Sequence, residues 1–343
     1  MSRDALTILH AGLVTSVGLS AAASCAAFRA KLTNPTRTHF MNARGEWIMA
    51  HQVLLAQPWR GIVKLAKMAA MAIAEALEGV PQGQWERIPL ILCVAESDRP
   101  GRTSGLDEEL LLRIQEELGT DFARGSCIVA QGRVGVAIAL ARARELKRAS
   151  NAPRVLVAAV DSLLSWSTLS QYEQRDRLLS DDNSNGFMPG EAAGALLIDT
   201  AQAHPGGLQC RGIGFGHEPA PIDSKEPLRG EGLAQAIKAA LADAGSLMHD
   251  CDFRITDISG EQYYFKEAAL ALSRTLRQRK AEFDIWHPAE CTGETGAAVG
   301  AAIMAEAIFA CEKRYARGPN ILVHLSNDSG HRAALCLQYT ERT

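Results

Sequence analysis

A sharp turn from an apolar run into a helical pattern lies in "CIVAQGRVGVAIALARARELKRA", residues 127–149. The extended run 127–130 stops at Gln131-Gly132-Arg133, and an alanine-rich helical pattern follows at once. Strand-to-helix turns of this kind often hold a nucleophile where the helix N-terminus can stabilise negative charge. The amide of Gln131 cannot attack a carbonyl, so the sequence raises the question of what this turn does without a nucleophile.

The cysteines of the chain do not supply an obvious substitute. They form no CxxC pair and no His-Cys cluster, and several lie inside apolar runs such as "PLILCVA" and "AALCLQ". This distribution is typical of reduced core thiols and not of a disulfide framework or a zinc site. We therefore expect no bound metal. The eight positions are Cys25, Cys93, Cys127, Cys210, Cys251, Cys291, Cys311 and Cys336.

The segments around this turn alternate between strand and helix patterns. Continuous apolar runs such as "IPLILCVAE" and "PRVLVAAVDS" predict strands that are covered on both faces. The alanine-rich segments "GIVKLAKMAAMAIAEALEGV" and "GAAVGAAIMAEAIFACEKR" predict buried helices. A second series of strand and helix patterns begins at "QCRGIGFGHE", after a break near 201–207. We predict an α/β architecture with two similar halves, residues 1–204 and 205–343, and with helices on both sheet faces.

Composition excludes several classes of function. The chain has 343 residues, 47% of them hydrophobic and 22% charged, with a formal net charge of −3, as in an ordinary globular protein. This balance gives no electrostatic footprint for nucleic acid or a membrane. The first residues lack the apolar run of a signal peptide, and no stretch approaches transmembrane length. We expect a cytoplasmic protein with neither a nucleic-acid nor a membrane partner.

Several stretches resemble, in the same order along the chain, the motifs of one superfamily. "GLVTSVGLS" resembles an opening strand and G-x-V-T-P-x-G turn, and "LLSDDNSNGFMPGEAAGALLID" resembles an Arg-Asp-Gly-Phe pattern leading into a GEGAG strand. "GETGAAVGAAIMAEAI" resembles a G-H-x-x-G-A-A-G helix start, and "LSNDSGHRAALCL" a C-terminal glycine-rich hairpin. On these motifs the chain is similar to a β-ketoacyl synthase of the thiolase-like superfamily. The resemblance implies a five-layered αβαβα sandwich made of two similar halves.

The resemblance also implies which residues should carry chemistry. Ketosynthases hold the acyl chain on a cysteine at the elbow, and two histidines and a lysine complete their site. In this register Gln131 has the cysteine position, and Ser259 and Glu294 have the two histidine positions. Glu261 stands where the first histidine loop has a threonine, and Ala289 stands at the lysine position. The resemblance therefore indicates a degenerate active site in which all four catalytic positions have changed.

These changes argue against condensation but leave three functions open. Glutamine at the elbow occurs in loading ketosynthases that still decarboxylate malonyl groups and in chain-length-factor subunits. An ionised Glu294 facing an enolate would raise the energy of the developing negative charge, which argues against decarboxylation. The favoured function is a pseudoenzyme that acts by binding or complex assembly. The alternatives are an acyltransferase or thioester hydrolase with a rebuilt site, and a chain-length-factor-like subunit of an active ketosynthase.

Several other side chains allow either a structural or a catalytic interpretation. Glu294 and Glu261 could form a carboxylate pair for acid-base chemistry, but a helix-capping role is favoured for Glu294. His287 and His331 could replace the lost donors, and Cys291 could be a new nucleophile; structural roles are favoured for all three. Cys127, four residues before Gln131, is interpreted as a core residue. We expect no cofactor. Candidate partners are a second copy in a homodimer, an acyl-carrier protein, acyl-CoA or a partner ketosynthase.

Overall fold

The computed structural model describes residues 5–149 and 154–341 of the chain. The strands are Leu6–Val14 (β1), Thr36–Met41 (β2), Trp47–Ala50 (β3), Leu90–Val94 (β4), Cys127–Ala130 (β5), Val155–Ser162 (β6), Glu191–Thr200 (β7), Gly207–His217 (β8), Phe253–Thr256 (β9), Ile285–Trp286 (β10), Asn320–Ser326 (β11) and His331–Thr340 (β12). The helices are Ala21–Ala30 (α1), Gly61–Ala76 (α2), Leu110–Leu118 (α3), Gly135–Ala149 (α4), Trp166–Gln174 (α5), Glu231–Ala244 (α6), Gln262–Thr275 (α7), Ala289–Thr292 (α8) and Val299–Glu312 (α9).

Ten of these strands form one sheet in which the same arrangement occurs twice. The order is β5-β4-β6-β7-β1 in the first half of the chain and β10-β9-β11-β12-β8 in the second. In each half the first three strands in this order run parallel to one another, and each of the last two pairs antiparallel with the strand before it. The two halves join where β1 pairs with β8. The predicted α/β fold built from two similar halves is confirmed. The boundary at 204/205, which falls between β7 and β8, stays a prediction.

The helices lie in three layers around the two halves of the sheet. Helices α4 and α9 share one apolar cluster with strands of both halves, from Ile91 and Val157 to Ile255 and Val323, so they form the central layer. Helices α2 and α3 cover the outer face of the first half, and α6 and α7 cover that of the second. This arrangement is the αβαβα sandwich that the resemblance implies. Helix α9 has almost no polar face, because a central helix meets side chains all round it.

Helix α6 approaches strand β8 closely because glycine recurs there at every second residue. Gly212, Gly214 and Gly216 share one face of the strand. A Cβ built on Gly214 would lie 2.1 Å from the carbonyl oxygen of Ala236 and 2.3 Å from the amide nitrogen of Ala240. Both atoms belong to the backbone of α6, so the helix itself would have to move to admit a side chain.

We expect Gly214→Ala to lower the free energy of unfolding by about 1–3 kcal/mol, because the added methyl forces α6 away from β8. Gly83→Ala is the matched control, since a Cβ at Gly83 meets no atom of the described part of the chain within 4 Å. Urea denaturation of both variants measures the effect. Equal stability of the two variants would contradict this account of how α6 packs.

Strands β2 and β3 form a separate hairpin outside the large sheet. None of the helices in the described ranges combines the length and apolar character needed to cross a bilayer.

Candidate functional site

The turn around Gln131 has the backbone geometry of a tight corner. Strand β5 ends at Ala130, and Gln131 precedes a single 3₁₀ turn, Gly132–Val134, which leads into α4. Gly132 has φ of +51°, and a Cβ there would lie 2.0 Å from Oε2 of Glu96, so the corner requires glycine. Gln131 itself is half-buried, and its side chain caps no backbone N–H of the turn.

The second half of the chain supplies a corner of the same shape. Thr295 precedes a 3₁₀ turn, Gly296–Ala298, that leads into α9, and Gly296 has φ of +54°. The carboxylate of Asp161, at the end of β6, accepts a hydrogen bond of 2.8 Å from the N–H of Ala297. The two corners therefore meet beside the end of β6, and the candidate site lies between them.

The side chain that fills this site is Arg133. It is 6% exposed, and its Nη1 lies 3.1 Å from Oε2 of Glu294. Its Nη2 lies 2.7 Å from Oδ1 of Asp328 and 2.6 Å from the hydroxyl of Tyr264. The guanidinium also lies over the ring of Tyr264, 4.6 Å from the centroid. A cation thus lies two residues after the position where the resemblance expects a thiol.

Ser259 and Glu294, assigned from sequence to the two histidine positions, lie side by side. Oγ of Ser259 donates to Oε2 of Glu294 at 2.9 Å. Oε1 of Glu294 accepts from the N–H of Gly296 at 2.8 Å. Glu294 therefore does what the capping interpretation expects, since it satisfies a backbone donor at the start of the turn before α9, and it pairs with Arg133 as well.

Glu261 belongs to the same site through a second arginine. Arg177 pairs with both carboxylate oxygens of Glu261, at 2.7 and 2.8 Å, and with Oδ2 of Asp328 at 2.6 Å. Glu261 and Glu294 are thus each held by a different guanidinium, with Asp328 between the two arginines. This arrangement differs from the carboxylate pair for acid-base chemistry that was considered from the sequence.

A third arginine completes what we call the arginine network. Arg99 pairs with Glu96 at 2.6 Å and with Asp161 at 2.7 Å, and all three side chains are at most 15% exposed. The network consists of the guanidiniums of Arg99, Arg133 and Arg177 and the carboxyl groups of Glu96, Asp161, Asp257, Glu261, Glu294 and Asp328.

The charges of the network shift the pKa values of its members in opposite directions. Burial alone would raise the pKa of Asp328, but the guanidiniums of Arg133 and Arg177 hold it well below its ordinary value. Burial raises the pKa of Asp257 to about 7, because its nearest cation, Arg133, is 3.9 Å away. Burial likewise raises the pKa of Glu261. Burial and the guanidiniums thus act in opposite directions on the carboxyl groups of the network.

Little space remains inside the network. The cavity bordered by Arg99, Arg133, Arg177 and Glu294 has a volume of about 10 Å³. That volume holds at most about one water molecule. An acyl group cannot enter it unless the arginine side chains move.

The remaining catalytic candidates lie elsewhere. Nε2 of His287 pairs with Glu290 at 2.9 Å, and His331 is exposed, with Nδ1 3.2 Å from Oγ of Ser329. Cys291 is buried in an apolar cluster, and burial raises the pKa of its thiol to about 11. Cys127 is half-buried on β5, with the guanidinium of Arg142 3.5 Å from its sulfur, so it is less enclosed than a core residue.

The arginines are the residues of the candidate site that sequence reasoning missed. Arg133 lies in the turn between β5 and α4, and the residues around it, from Gly132 to Ala139, are otherwise apolar. A lone arginine in such a context indicates a buried partner of opposite charge. That signal was available, but it does not identify Glu294 or Asp328 as the partners.

Sequence comparison finds one similar curated protein. No protein-family model matches the chain. A "Putative polyketide beta-ketoacyl synthase 2" of Streptomyces coelicolor is 28% identical over 211 residues. That alignment covers 58% of this chain and 50% of the relative, so the chain spans about half the length of the curated protein that it matches.

Structural comparison gives matches over nearly the whole chain. One is a type II polyketide synthase acyl-carrier protein in complex with its ketosynthase bound to the hexaketide (TM-score 0.80, 16% identity, 98% of this chain and 99% of the other). Others are the ishigamide ketosynthase/chain length factor (0.79, 17%, 98% and 100%) and a ketosynthase in complex with its chain length factor from Xenorhabdus doucetiae (0.75, 13%, 98% and 98%). At these identities the matches establish the fold.

Proposed function

We propose that this chain, which has the thiolase-like fold of ketosynthases and chain length factors, is a ketosynthase-like pseudoenzyme that acts as the non-catalytic subunit of a complex with an active ketosynthase. One observation carries the proposal: the arginine network fills the space between the two corners and leaves about 10 Å³. Ser259 and Glu294, at the positions assigned to the histidines, then serve to hold the fold together.

The chemistry of condensation supports this reading. A condensing site needs a thiolate of lowered pKa and donors aimed at the developing oxyanion. Gln131 offers no thiol, and Glu294 offers a carboxylate where a donor is required. Arg133 could in principle stabilise an anion, but its N–H groups are already directed to Glu294, Asp328 and Tyr264.

The kind of partner is suggested by two further observations. Two of the similar structures are ketosynthases with their chain length factors. In this chain β5 is an outer strand of the sheet, with Cys127, Ile128 and Ala130 only half-buried, and an outer strand can pair with another chain. A catalytic partner would supply the thiol and imidazoles that this chain lacks. A homodimer through the same edge is the competing assembly.

A rebuilt enzyme is the second candidate, and the hydrogen bond between Ser259 and Glu294 is the observation that favours it. A carboxylate within 2.9 Å of a serine hydroxyl can act as its general base. Against this role, the carboxylate of Glu294 is also engaged by the guanidinium of Arg133 and by the N–H of Gly296, so both of its oxygens already have partners.

The first experiment tests for chemistry. The purified chain is incubated with malonyl-CoA and with an acyl-CoA, and its intact mass and the release of CoA are followed. We expect no covalent adduct and no release above the buffer rate. Steady release that is lost in Ser259→Ala and in Glu294→Gln would establish the rebuilt enzyme instead.

The second experiment tests assembly. The tagged chain is co-expressed with the ketosynthase encoded nearest to it, and the complex is sized by chromatography with light scattering. We expect a heterodimer that Ile128→Lys on β5 abolishes. Ile285→Lys is the matched control, because Ile285 is equally half-buried on the outer strand β10 of the other half. A homodimer alone, sensitive to Ile128→Lys, would contradict the partner-subunit proposal.

A further inference from the structure

A second and larger cavity lies behind the arginine network. It has a volume of about 400 Å³ and lies between the segment 52–61, the first turn of α2 and residues 162–165. We call it the Lys64 cleft, after the cation that borders it. Its volume is within the range of small-molecule sites, about 300–1,000 Å³.

The Lys64 cleft and the network are separated by a single stretch of chain. Successive residues of a strand point to opposite sides. Asp161 pairs with Arg99 in the network, whereas Ser162 borders the cleft. Leu163 then borders the 10 Å³ cavity and Leu164 borders the cleft. The cleft is therefore a distinct space, open where the network is filled.

The inner end of the Lys64 cleft is polar but carries no net charge. Glu191, whose side chain is 2% exposed, pairs with Lys64. The same carboxylate accepts hydrogen bonds of 2.9 Å from Oγ of Ser162 and from the N–H of Val53. Glu191 is thus fully occupied, whereas the ammonium of Lys64 has three N–H donors and gives one to this carboxylate.

The sides of the Lys64 cleft are more apolar than polar. The apolar lining residues are Phe40, Val53, Leu55, Trp59, Leu65 and Leu164. Polar side chains also border the cleft, among them Gln52, Gln57, Arg60 and Thr103. An apolar enclosure that ends in a few donors fixes the orientation of a ligand, since only one end of the ligand can meet the polar groups.

We propose that the Lys64 cleft binds a small neutral molecule, mostly apolar, with a carbonyl or ether oxygen at its inner end that accepts a hydrogen bond from Lys64. A ligand carboxylate would compete with Glu191 for the same ammonium and bring a second negative charge beside a buried one. A cationic ligand would face the ammonium of Lys64 and the exposed guanidinium of Arg60, which also borders the cleft. This inference goes beyond the proposed function and does not depend on the loss of catalysis.

The test uses a fluorescent probe with this chemistry, the neutral aryl ketone 6-propionyl-2-dimethylaminonaphthalene. Its emission shifts to the blue in an apolar site, so it is titrated into the full chain. We expect saturable binding of one probe per chain. The analogue with a propyl group in place of the propionyl group lacks the oxygen and should bind at least about tenfold more weakly. The anionic 1-anilinonaphthalene-8-sulfonate should not compete.

Two variants locate the probe. Leu55→Trp narrows the cleft at a half-buried residue and should weaken binding by at least about tenfold. Leu179→Trp makes the same change at an exposed leucine outside the cleft and should leave binding unchanged. The proposal is overturned if no saturable binding occurs, if Leu55→Trp binds like the unmodified chain, or if the oxygen-free analogue binds equally well.

Discussion

Replacing Arg133 with methionine should lower the free energy of unfolding by about 3–5 kcal/mol. Methionine matches much of the volume of arginine but removes the charge. Among the described residues, Glu294 and Asp257 are then left buried without a cation within 4 Å. Asp328 keeps Arg177 as a partner, so the loss is concentrated on the side of Ser259 and Glu294. Urea denaturation at pH 7 measures the change.

The control for this variant lies on the adjoining helix. Arg142→Met removes an exposed arginine from α4 and should change stability by no more than about 0.5 kcal/mol. Adding Glu294→Gln to Arg133→Met should recover part of the lost free energy of unfolding, because it removes a buried carboxylate that no longer has a cationic partner. An Arg133→Met variant as stable as Arg142→Met would show that the network is not what holds the two corners together.

Glu306 on α9 should make stability depend on pH. It is 7% exposed, Oε2 has no hydrogen-bond partner among the described residues, and burial raises the pKa of its carboxyl group from 4.5 to about 8. Below pH 4.5 the folded and unfolded chains both carry the proton. Between pH 4.5 and 8 only the folded chain keeps it, so this group's contribution to stability falls as the pH rises and is lost above pH 8.

Glu306→Gln removes this titration with little change of shape. We expect the free energy of unfolding of the variant, relative to that of the unmodified chain, to rise by roughly 3–5 kcal/mol between pH 5 and pH 9. The slope below the folded pKa should be about 1.4 kcal/mol per pH unit. Thermal and urea unfolding at a series of pH values measures the difference. Glu312→Gln, at the exposed end of the same helix, is the control and should show no such rise. A pH-independent difference for Glu306→Gln would contradict the assignment.

The sequence predicted the helices and strands that are buried along their whole length, because these form continuous apolar runs or alanine-rich segments. The runs at 90–94 and 155–162 became the central strands β4 and β6, and the alanine-rich segments became α2 and α9. No sequence pattern predicted an element at 36–50 or 110–118, which form the β2–β3 hairpin and α3. Trp47 and Met49 of the hairpin are exposed apolar residues, and such residues weaken the alternation that identifies a surface strand.

Only part of the site was predictable, because its ion pairs join residues that are far apart along the chain. The motif register placed Ser259 and Glu294 at neighbouring positions, and their side chains are in fact 2.9 Å apart. Whether these are the places of two lost histidines stays a prediction. The ion pairs of Arg133 with Asp328 and of Arg177 with Glu261 join residues 195 and 84 positions apart. No local pattern encodes a pairing over such distances, because any buried carboxylate would satisfy the same cation.

The repeated strand order has a consequence for the history of the molecule. Two halves with one topology, each with a glycine of left-handed backbone conformation at the same point before a central helix, are what duplication and fusion of a single ancestral segment would leave behind. In such a descent the backbone of a corner is inherited twice, while each copy is free to change its side chains. Gln131 and Thr295 are then the two present occupants of one ancestral position.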